Sequence, residues 1–540
     1  MKKGVYDFRI IPLGKETPSA YAERVGIYYA STVTNAHKKD NGQFFTPLEI
    51  ALFMASIGKV EKENLRILDP GCGLGILSIT LIEQLVISKK KIKRIELVVF
   101  ETDVNILPFA ENCFEYLRIW LNERTIDFTI FLCKNDFILH NSIVLNNVKN
   151  SYEAYDIVIS NPPYFKLPSD DERAVAAKSV IHGQTNIYTI FLLIAAKLLK
   201  EDGHLIFITP RSFCSGSYFR LFREIFFSVV DLQEIHLFNS RKSAFKKDKV
   251  LQENIIIKAN KRNRTESNNT CTGKDLTISA SSGISDIDKR RIKKYKYHNL
   301  INLDSYQKIL HLPTSDTDEK IIEIFRTWTG SLKLYNLEIS TGPVVDFRSI
   351  SMIKSKPTKT TVPLIWLHNV ESMNVIWPRN SGYKGKPKGQ YITYEKKSLS
   401  RLVKNRNYVL VRRFSTKDDD RRLVAAPYFS RNNSDIEMIG IENHLNYIYH
   451  KKHELTVEQT IGLAAILNSR LFDLYFRTFN GNINVSATEL REFPLPDFHL
   501  IETLGKKMNK AIKAKRLYNI DALVSEIFNL SIDLSIEYGK

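Results

Sequence analysis

The sequence is poor in cysteine, lacks long apolar runs and is short of acid relative to base, and each shortage narrows what the chain can be. Its five cysteines, Cys72, Cys113, Cys133, Cys214 and Cys271, stand without paired spacing. Neither a disulfide framework nor a zinc site is indicated, and no metal is expected. No apolar run approaches the ~20 residues of a membrane span. The opening Met1–Asp7 lacks the apolar stretch of a secretory signal, so a reducing cytoplasm is the expected compartment. Against 78 Lys and Arg the 540 residues carry 59 Asp and Glu, a formal net charge of +19. A chain so cationic attracts polyanions. With 43% hydrophobic and 25% charged residues it is an ordinary folded protein, long enough for two to four domains.

What is present is an alternation of apolar strand-like runs with amphipathic helical stretches from Gly42 to about Lys258, the pattern of a doubly wound α/β domain. Strands are expected at Arg66–Leu68, Glu96–Phe100, Thr129–Leu132, Asp156–Ser160, His204–Ile208, Glu234–Leu237 and Asn254–Lys258. Helices are expected at Leu48–Ile57, Gly75–Val86 and Ile187–Leu199. Residues 1–41 read as an N-terminal extension. Residues 260–289 turn polar, rich in Asn, Thr, Ser and Gly, and read as a linker. Beyond lies a second domain over 290–500. It closes on a long helix at Thr456–Phe476, and a polar helical tail over 501–540 follows.

The most informative stretch ends the fourth strand. Tyr155-Asp156-Ile157-Val158-Ile159-Ser160 is apolar and β-branched, and Asn161-Pro162-Pro163-Tyr164 stops it. A carboxamide, a proline-fixed backbone and an aromatic ring are thus presented at a strand's carboxyl end, where open α/β sheets bind ligands. The amide oxygen and a rigid carbonyl can accept the hydrogens of an exocyclic amine, and the ring can stack on its base.

The other half of the site is a series of three strand ends. Asp69-Pro70-Gly71-Cys72-Gly73-Leu74-Gly75 is a glycine turn that lets backbone approach a ligand. Asp69 would repel a pyrophosphate, so this is no dinucleotide fingerprint; it suits a cationic ligand or an amine. Glu101 ends the next strand, where a carboxylate can accept both ribose hydroxyls of an adenosine-containing cofactor. Asp136 and Phe137 end the third, offering an acceptor for an adenine amino group and a ring to lie against the purine. Each acid alone is as readily a loop carboxylate or a helix cap; in this order they describe a pocket.

Together these motifs resemble the gamma class of amino-methyltransferases, specifically the TaqI-like adenine methyltransferases of bacterial restriction–modification systems. Gly42-Gln43-Phe44-Phe45-Thr46-Pro47 is similar to that family's first motif, which implies a contact from Thr46 to the methionine portion of S-adenosylmethionine. The glycine turn resembles its cofactor loop, and Asn161-Pro162-Pro163-Tyr164 matches its catalytic motif in full. Ser243-Ala244-Phe245 resembles the segment whose Phe flanks a flipped base. The resemblance returns at Gly462–Phe476 and at Leu490–Pro496, near the end of the family's target-recognition domain. It implies a Rossmann-like catalytic domain over 42–259 and an α+β target-recognition domain behind it.

What the resemblance implies chemically is methyl transfer from S-adenosylmethionine to the exocyclic N6 amine of an adenine flipped out of duplex DNA. Asn161 and the Pro162 carbonyl would accept the amine's hydrogens, while Tyr164 and Phe245 would flank the base. Aromatic residues interleave with cations at Lys289–Tyr297 and at Arg401–Phe414, as suits phosphate and base contacts. Arg412, Arg413, Arg421 and Arg422 are forked donors of the kind that read bases in a groove. The expected partners are double-stranded DNA and, functionally, a cognate restriction endonuclease; the chain is expected to act as a monomer. Competing classes are ribosomal-RNA or protein-glutamine methyltransferases, which share the tetrapeptide, and N4-cytosine methylation on the same scaffold.

Overall fold

The computed structural model describes residues 10–40, 42–43, 45–88, 91–146, 154–181, 186–238, 253–262, 274–379, 388–415, 419–433, 435–481 and 484–530. Two compact units divide the chain, one of residues 1–214 with 218–310 and one of residues 215–217 with 311–540.

The first unit is built on one sheet. Its strands are β1 (Asn64–Pro70), β2 (Arg94–Phe100), β3 (Asp127–Cys133), β4 (Tyr155–Ser160), β5 (Leu199–Pro210), β6 (Val230–Phe238), β7 (Asn254–Lys261), β8 (Asp275–Ser281) and β9 (Arg291–Lys296). They lie in the order β3-β2-β1-β4-β5-β7-β6-β8-β9. β1 to β5 pair in parallel, and β7 runs antiparallel to both its neighbours. The chain winds outward from β1 to β3 and then crosses back to β4, so the order reverses between β1 and β4. That switch point opens a crevice at the strands' carboxyl ends.

Ile67, Ile95, Leu97, Ile157 and Ile206 enter one core with the helices Leu48–Ser56, Ile76–Ser88 and Leu107–Asn122. The alternate residues Leu68, Val98 and Val158 are buried too, so both faces of the central strands are covered. That double burial is why β4, with all six residues buried, reads as a continuous apolar run. The seven strands expected from sequence and the helices at Leu48, Ile76 and Ile187 are present, with ends moved by a few residues.

Four boundaries differ from expectation. Within the expected extension 1–41, the helix Pro18–Thr32 is no appendage, because it places Tyr21, Ala22, Val25 and Tyr29 in the sheet's core. Two of those residues are tyrosines whose hydroxyls are satisfied, at the Ile10 carbonyl and at Asp103 Oδ2, so their burial is not written as aliphatic periodicity. The expected linker 260–289 contains β8, a strand of the sheet, and the first unit continues to Leu310. Its polar texture misleads because buried Ser279 and Ser281 bond the two ring nitrogens of buried His236, at 2.9 and 3.1 Å. Residues 263–273 of that stretch lie outside the described residues. The cationic run Lys289–Tyr297 holds the edge strand β9, whose exposed Arg291, Lys294 and Lys296 discourage further strand pairing.

The second unit is α+β, the class expected of it. A four-stranded antiparallel sheet joins Leu337–Thr341, Leu445–His450, Tyr408–Arg412 and Ala425–Tyr428 in that order. A five-stranded sheet joins Ile353–Lys354, Tyr391–Thr393, Thr361–Ile365, Met438–Ile441 and Leu402–Lys404. The single helix expected at Thr456–Phe476 is two, Val457–Asn468 and Arg470–Phe479. Ser469 breaks it: its backbone is extended (ψ 149°), and its hydroxyl donates to the Ile466 carbonyl while accepting from the Phe472 amide. The fourth difference concerns the tail. Helix Phe498–Lys513 packs on Val457–Asn468 so closely that a Cβ on Gly462 would sit 2.1 Å from the Ile501 carbonyl oxygen. A Cβ on Gly505 would meet the Glu458 oxygen at 1.8 Å. The start of the expected tail 501–540 is therefore part of this unit's core.

Candidate active site

At the switch point, β1 and β4 deliver two loops to one crevice. Ser160, the last residue of β4, donates its hydroxyl to the Pro70 carbonyl at 2.5 Å and ties the glycine turn to the Asn-Pro-Pro-Tyr turn. Gly71, Gly73 and Gly75 all have positive φ, at 74°, 56° and 81°, which side chains disfavour. Gly75 also has no room: a Cβ there would lie 2.4 Å from Cζ of Phe114. The turn therefore hugs the sheet end and leaves its backbone facing a cavity of 1290 Å³.

Glu101 closes the far side of the turn. Its Oε2 accepts from the Gly73 amide at 2.9 Å, and its Oε1 accepts from Thr102 and Asp103, each at 2.8 Å. Burial pushes its carboxyl above the usual carboxylate range, opposed by those three amides. Three backbone donors thus fix one carboxylate at the cavity wall, in an orientation that a flexible glutamate would not hold. Asp136 is a helix cap that also stands at the cavity wall. Its Oδ1 caps the helix Phe137–Asn141 through the amides of Ile138 and Leu139, at 2.8 and 3.0 Å, while the residue lines the cavity. Phe137 packs against Phe100 and Phe191, with ring centroids 5.2 and 5.0 Å away.

Asn161 faces the same space. Its Nδ2 donates to Thr46 Oγ1 at 3.0 Å, which orients the carboxamide. The Tyr164 hydroxyl lies between Asn161 Oδ1 and the Ile208 carbonyl, 3.0 Å from the latter. Burial raises the Tyr164 hydroxyl well above the ordinary tyrosine range, so it stays protonated. Thr46 is itself positioned from two sides. Asp103 gathers Tyr29 at 3.0 Å, His37 at 2.7 Å and Gln43 at 2.5 Å, and Gly42 turns with φ 61° beside Pro163 and Phe165.

Of the residues singled out from sequence, Thr46, Gly71, Gly73, Glu101, Asp136, Phe137, Asn161 and Pro163 line this cavity together. Pro162 is buried beside them. Asp69 is not at the wall as expected of a ligand contact; it lies beneath the turn, 1% exposed, with Ser78 beside its carboxylate. Burial pushes it up to about 7, with Ser78 opposing and the charge of Glu101 assisting the rise. Phe245 lies outside the described residues. Arg412 and Arg413 belong to the second unit, where Arg412 Nε donates to the Val370 carbonyl at 2.6 Å and Arg413 Nη1 to that of Asn443 at 2.9 Å. Arg422 is 1% exposed and bonds Ser415 and Asn480, and Arg421 pairs with Asp521 at 2.9 Å. Those two support the second unit's interior contacts and are not free forks.

Among the wall residues that escaped the sequence are Phe191 and Arg173. Phe191 sits in a helix that is apolar on every side, so no periodicity marks it. Arg173 follows the capping residue Asp171 and reads as part of a helix start; its Nη1 comes within 3.7 Å of Asp136 Oδ2. The cavity's donor set can be tested against S-adenosylmethionine. Fixed acceptors (Glu101, Asp136, Asn161) and rings (Phe100, Phe137, Phe191) suit ribose hydroxyls, a purine and a cationic sulfonium. Two phosphates would instead meet Glu101 beside the Gly73 amide, so the residues fit the sulfonium cofactor and not a dinucleotide.

The sequence profile of the Eco57I restriction-modification methylase family matches residues 87–245. The type II methyltransferase M.BsuBI of Bacillus subtilis is 32% identical over 496 residues, 91% of this chain and 94% of that protein. The type II methyltransferase M.PstI of Providencia stuartii is 30% identical over 482 residues, 89% of this chain and 91% of that one. Among solved structures, the cryo-EM structure of a DrdV–DNA complex aligns with a TM-score of 0.51 at 14% identity. The alignment covers 93% of this chain and 60% of that one, a likeness of fold.

Proposed function

From the premise that this chain belongs to the type II DNA methyltransferases of restriction–modification systems, we propose that it methylates the N6 amine of an adenine flipped out of duplex DNA. S-adenosylmethionine, when bound, supplies an electrophilic methyl group on a sulfonium. Glu101 would hold its ribose hydroxyls, and Asp136 with Phe137 its adenine. Gly71 and Gly73 would give it backbone to lie against, and Thr46 would touch its methionine end.

The observation that carries the proposal is the carboxamide of Asn161, fixed at the carboxyl end of β4 on the cofactor cavity. Nδ2 donates to Thr46 and Oδ1 accepts from the Tyr164 hydroxyl, so the carboxamide is held at both ends, and Oδ1 would take an amine hydrogen through its second lone pair. The carbonyl of Pro162 would take the second hydrogen, held rigid between two prolines. Drawing both hydrogens toward acceptors turns the amine lone pair away from the ring and toward the cavity, which stabilises the transition state more than the ground state. Tyr164, its hydroxyl held near the Ile208 carbonyl, would offer its ring to the flipped base, worth on the order of 1–3 kcal/mol. Phe245 would close the other side. The second unit would select the DNA sequence, with Arg412 and Arg413 as candidate base readers, since each spends only one nitrogen on backbone. The methyltransferase would act in the cytoplasm as a monomer, and its functional counterpart would be an endonuclease blocked by the same methyl group.

Single-molecule sequencing of DNA from a host expressing the chain tests this directly. N6-methyladenine at one defined site is expected, and N4-methylcytosine would overturn the base assignment. Asn161→Ala should remove methylation while S-adenosylmethionine and DNA binding persist. Substantial turnover by Asn161→Ala would overturn the role given to that residue.

A further inference from the structure

The second unit carries an apolar ridge that its own packing does not account for. Helical turn Asp346–Ser349 continues into Ile350–Met352 and leaves Phe347 67% and Ile350 72% exposed. Leu399, on the turn Leu399–Arg401, is 45% exposed, and Arg401 of that turn bonds both the Arg348 carbonyl and Ser349 Oγ. The ridge is held stiffly. Ser349 is fully buried, the Phe347 amide donates to Asp346 Oδ1 at 2.7 Å, and Asp346 Oδ2 accepts from Lys388 at 3.3 Å. Single exposed apolar side chains need no explanation, but large ones raised on an anchored turn do.

The surroundings say what would cover it. Residues 346–360 contain Arg348, Lys354, Lys356 and Lys359 against one acid, Asp346, which Lys388 already neutralises. None of those four cations has a carboxylate partner among the described residues. The guanidinium of Arg348 lies 5.4 Å from the Phe347 ring centroid, at the base of the ridge. A protein-binding core is depleted in lysine, whereas apolar wedges flanked by cations are how proteins enter stacked DNA while gripping its phosphates.

We propose that Phe347, supported by Ile350, is a DNA-unstacking wedge, and that Arg348, Lys354, Lys356 and Lys359 hold the phosphates beside it. The inference rests on duplex DNA being the substrate and adds how the cost of base extrusion is met. Flipping a paired base costs a few kcal/mol of stacking and pairing. A ring that replaces lost stacking lowers that cost only where the target base is paired. Phe347 is thus a positioning residue and not a catalytic one.

The test uses the full chain and a duplex bearing the site read from host DNA, once fully paired and once with the target base opposite a mismatch. Single-turnover methylation by Phe347→Ala should be roughly 10- to 100-fold slower on the paired duplex. It should fall within about threefold of the parent chain on the mismatched one, where the barrier to extrusion is already lowered. Phe347→Trp should stay close to the parent chain on both. Replacing Lys354, Lys356 and Lys359 together by Gln should lower the salt dependence of DNA binding by about two to three ions, at about 0.9 per phosphate, without mismatch rescue. Equal slowing of Phe347→Ala on both duplexes would overturn the wedge, and so would unchanged rates on the paired duplex, which would leave the ridge to a protein partner. If the parent chain leaves host DNA unmodified, the DNA-methyltransferase reading itself fails, a result separable from any behaviour of Phe347.

Discussion

Replacing Asp69 by Asn separates two roles that its sequence position confuses. Asp69 is 1% exposed, and burial raises it from 3.8 to about 7 against the opposing hydrogen bonds of Ser78. A carboxyl whose folded value is raised contributes stability that is fully present below its unfolded value and lost as pH rises through the folded one. The wild-type chain should therefore lose stability between about pH 4 and pH 7, by about 4 kcal/mol if the whole difference is expressed. Asn cannot ionise but still buries a polar amide, so about 2 kcal/mol should be recoverable above pH 7 and almost none at pH 4. Urea unfolding of both chains from pH 4.5 to 8 measures it. Cofactor affinity should change by less than about threefold, since Asp69 lies under the turn. An Asp69→Asn chain that is less stable at pH 8 would refute the electrostatic argument. A loss of affinity beyond about tenfold would restore Asp69 as a ligand contact.

Three further outcomes follow from packing and polarity. Glu101→Ala should weaken S-adenosylmethionine binding by about 100-fold in calorimetry, because two charged hydrogen bonds and the anchor of Gly73 are lost together; unchanged affinity in a folded variant would sink the ribose assignment. Gly75→Ala should destabilise the first unit by about 3 kcal/mol in thermal unfolding, through the positive φ and the overlap with Phe114. Phe114→Leu added to it should recover part of that loss. Arg422→Ala should cost about 3 kcal/mol in the second unit, by stranding Asn480 and Ser415, while the methylated sequence read from host DNA stays the same; a changed site would return Arg422 to base reading.

Much of the first unit was legible because its signals are local. β4 is buried on both faces, so its sequence is apolar throughout, and the prolines that stop it sit next to it in the chain. Glycine turns, strand-end acids and the Asn-Pro-Pro-Tyr turn are contiguous, and their order follows the winding of a parallel sheet. What misled was polar residues whose partners are far away in sequence. Ser279 and Ser281 look like linker until His236, more than forty residues earlier, is found between them. Arg422 looks like a base-reading fork until Asn480 and the Phe476 ring, 5.3 Å from the guanidinium, enclose it.

By itself the sequence determined the α/β class of the first unit and which polar groups stand at its strand ends. These follow from residue type and short spacing, which a folded chain cannot rearrange. Only the tertiary structure decided which of those residues reach the cavity. Asp69 and Glu101 are both acids at strand ends, yet three backbone amides present Glu101 at the wall while the glycine turn folds over Asp69. Burial and partner choice depend on contacts between distant segments, and no local pattern carries them.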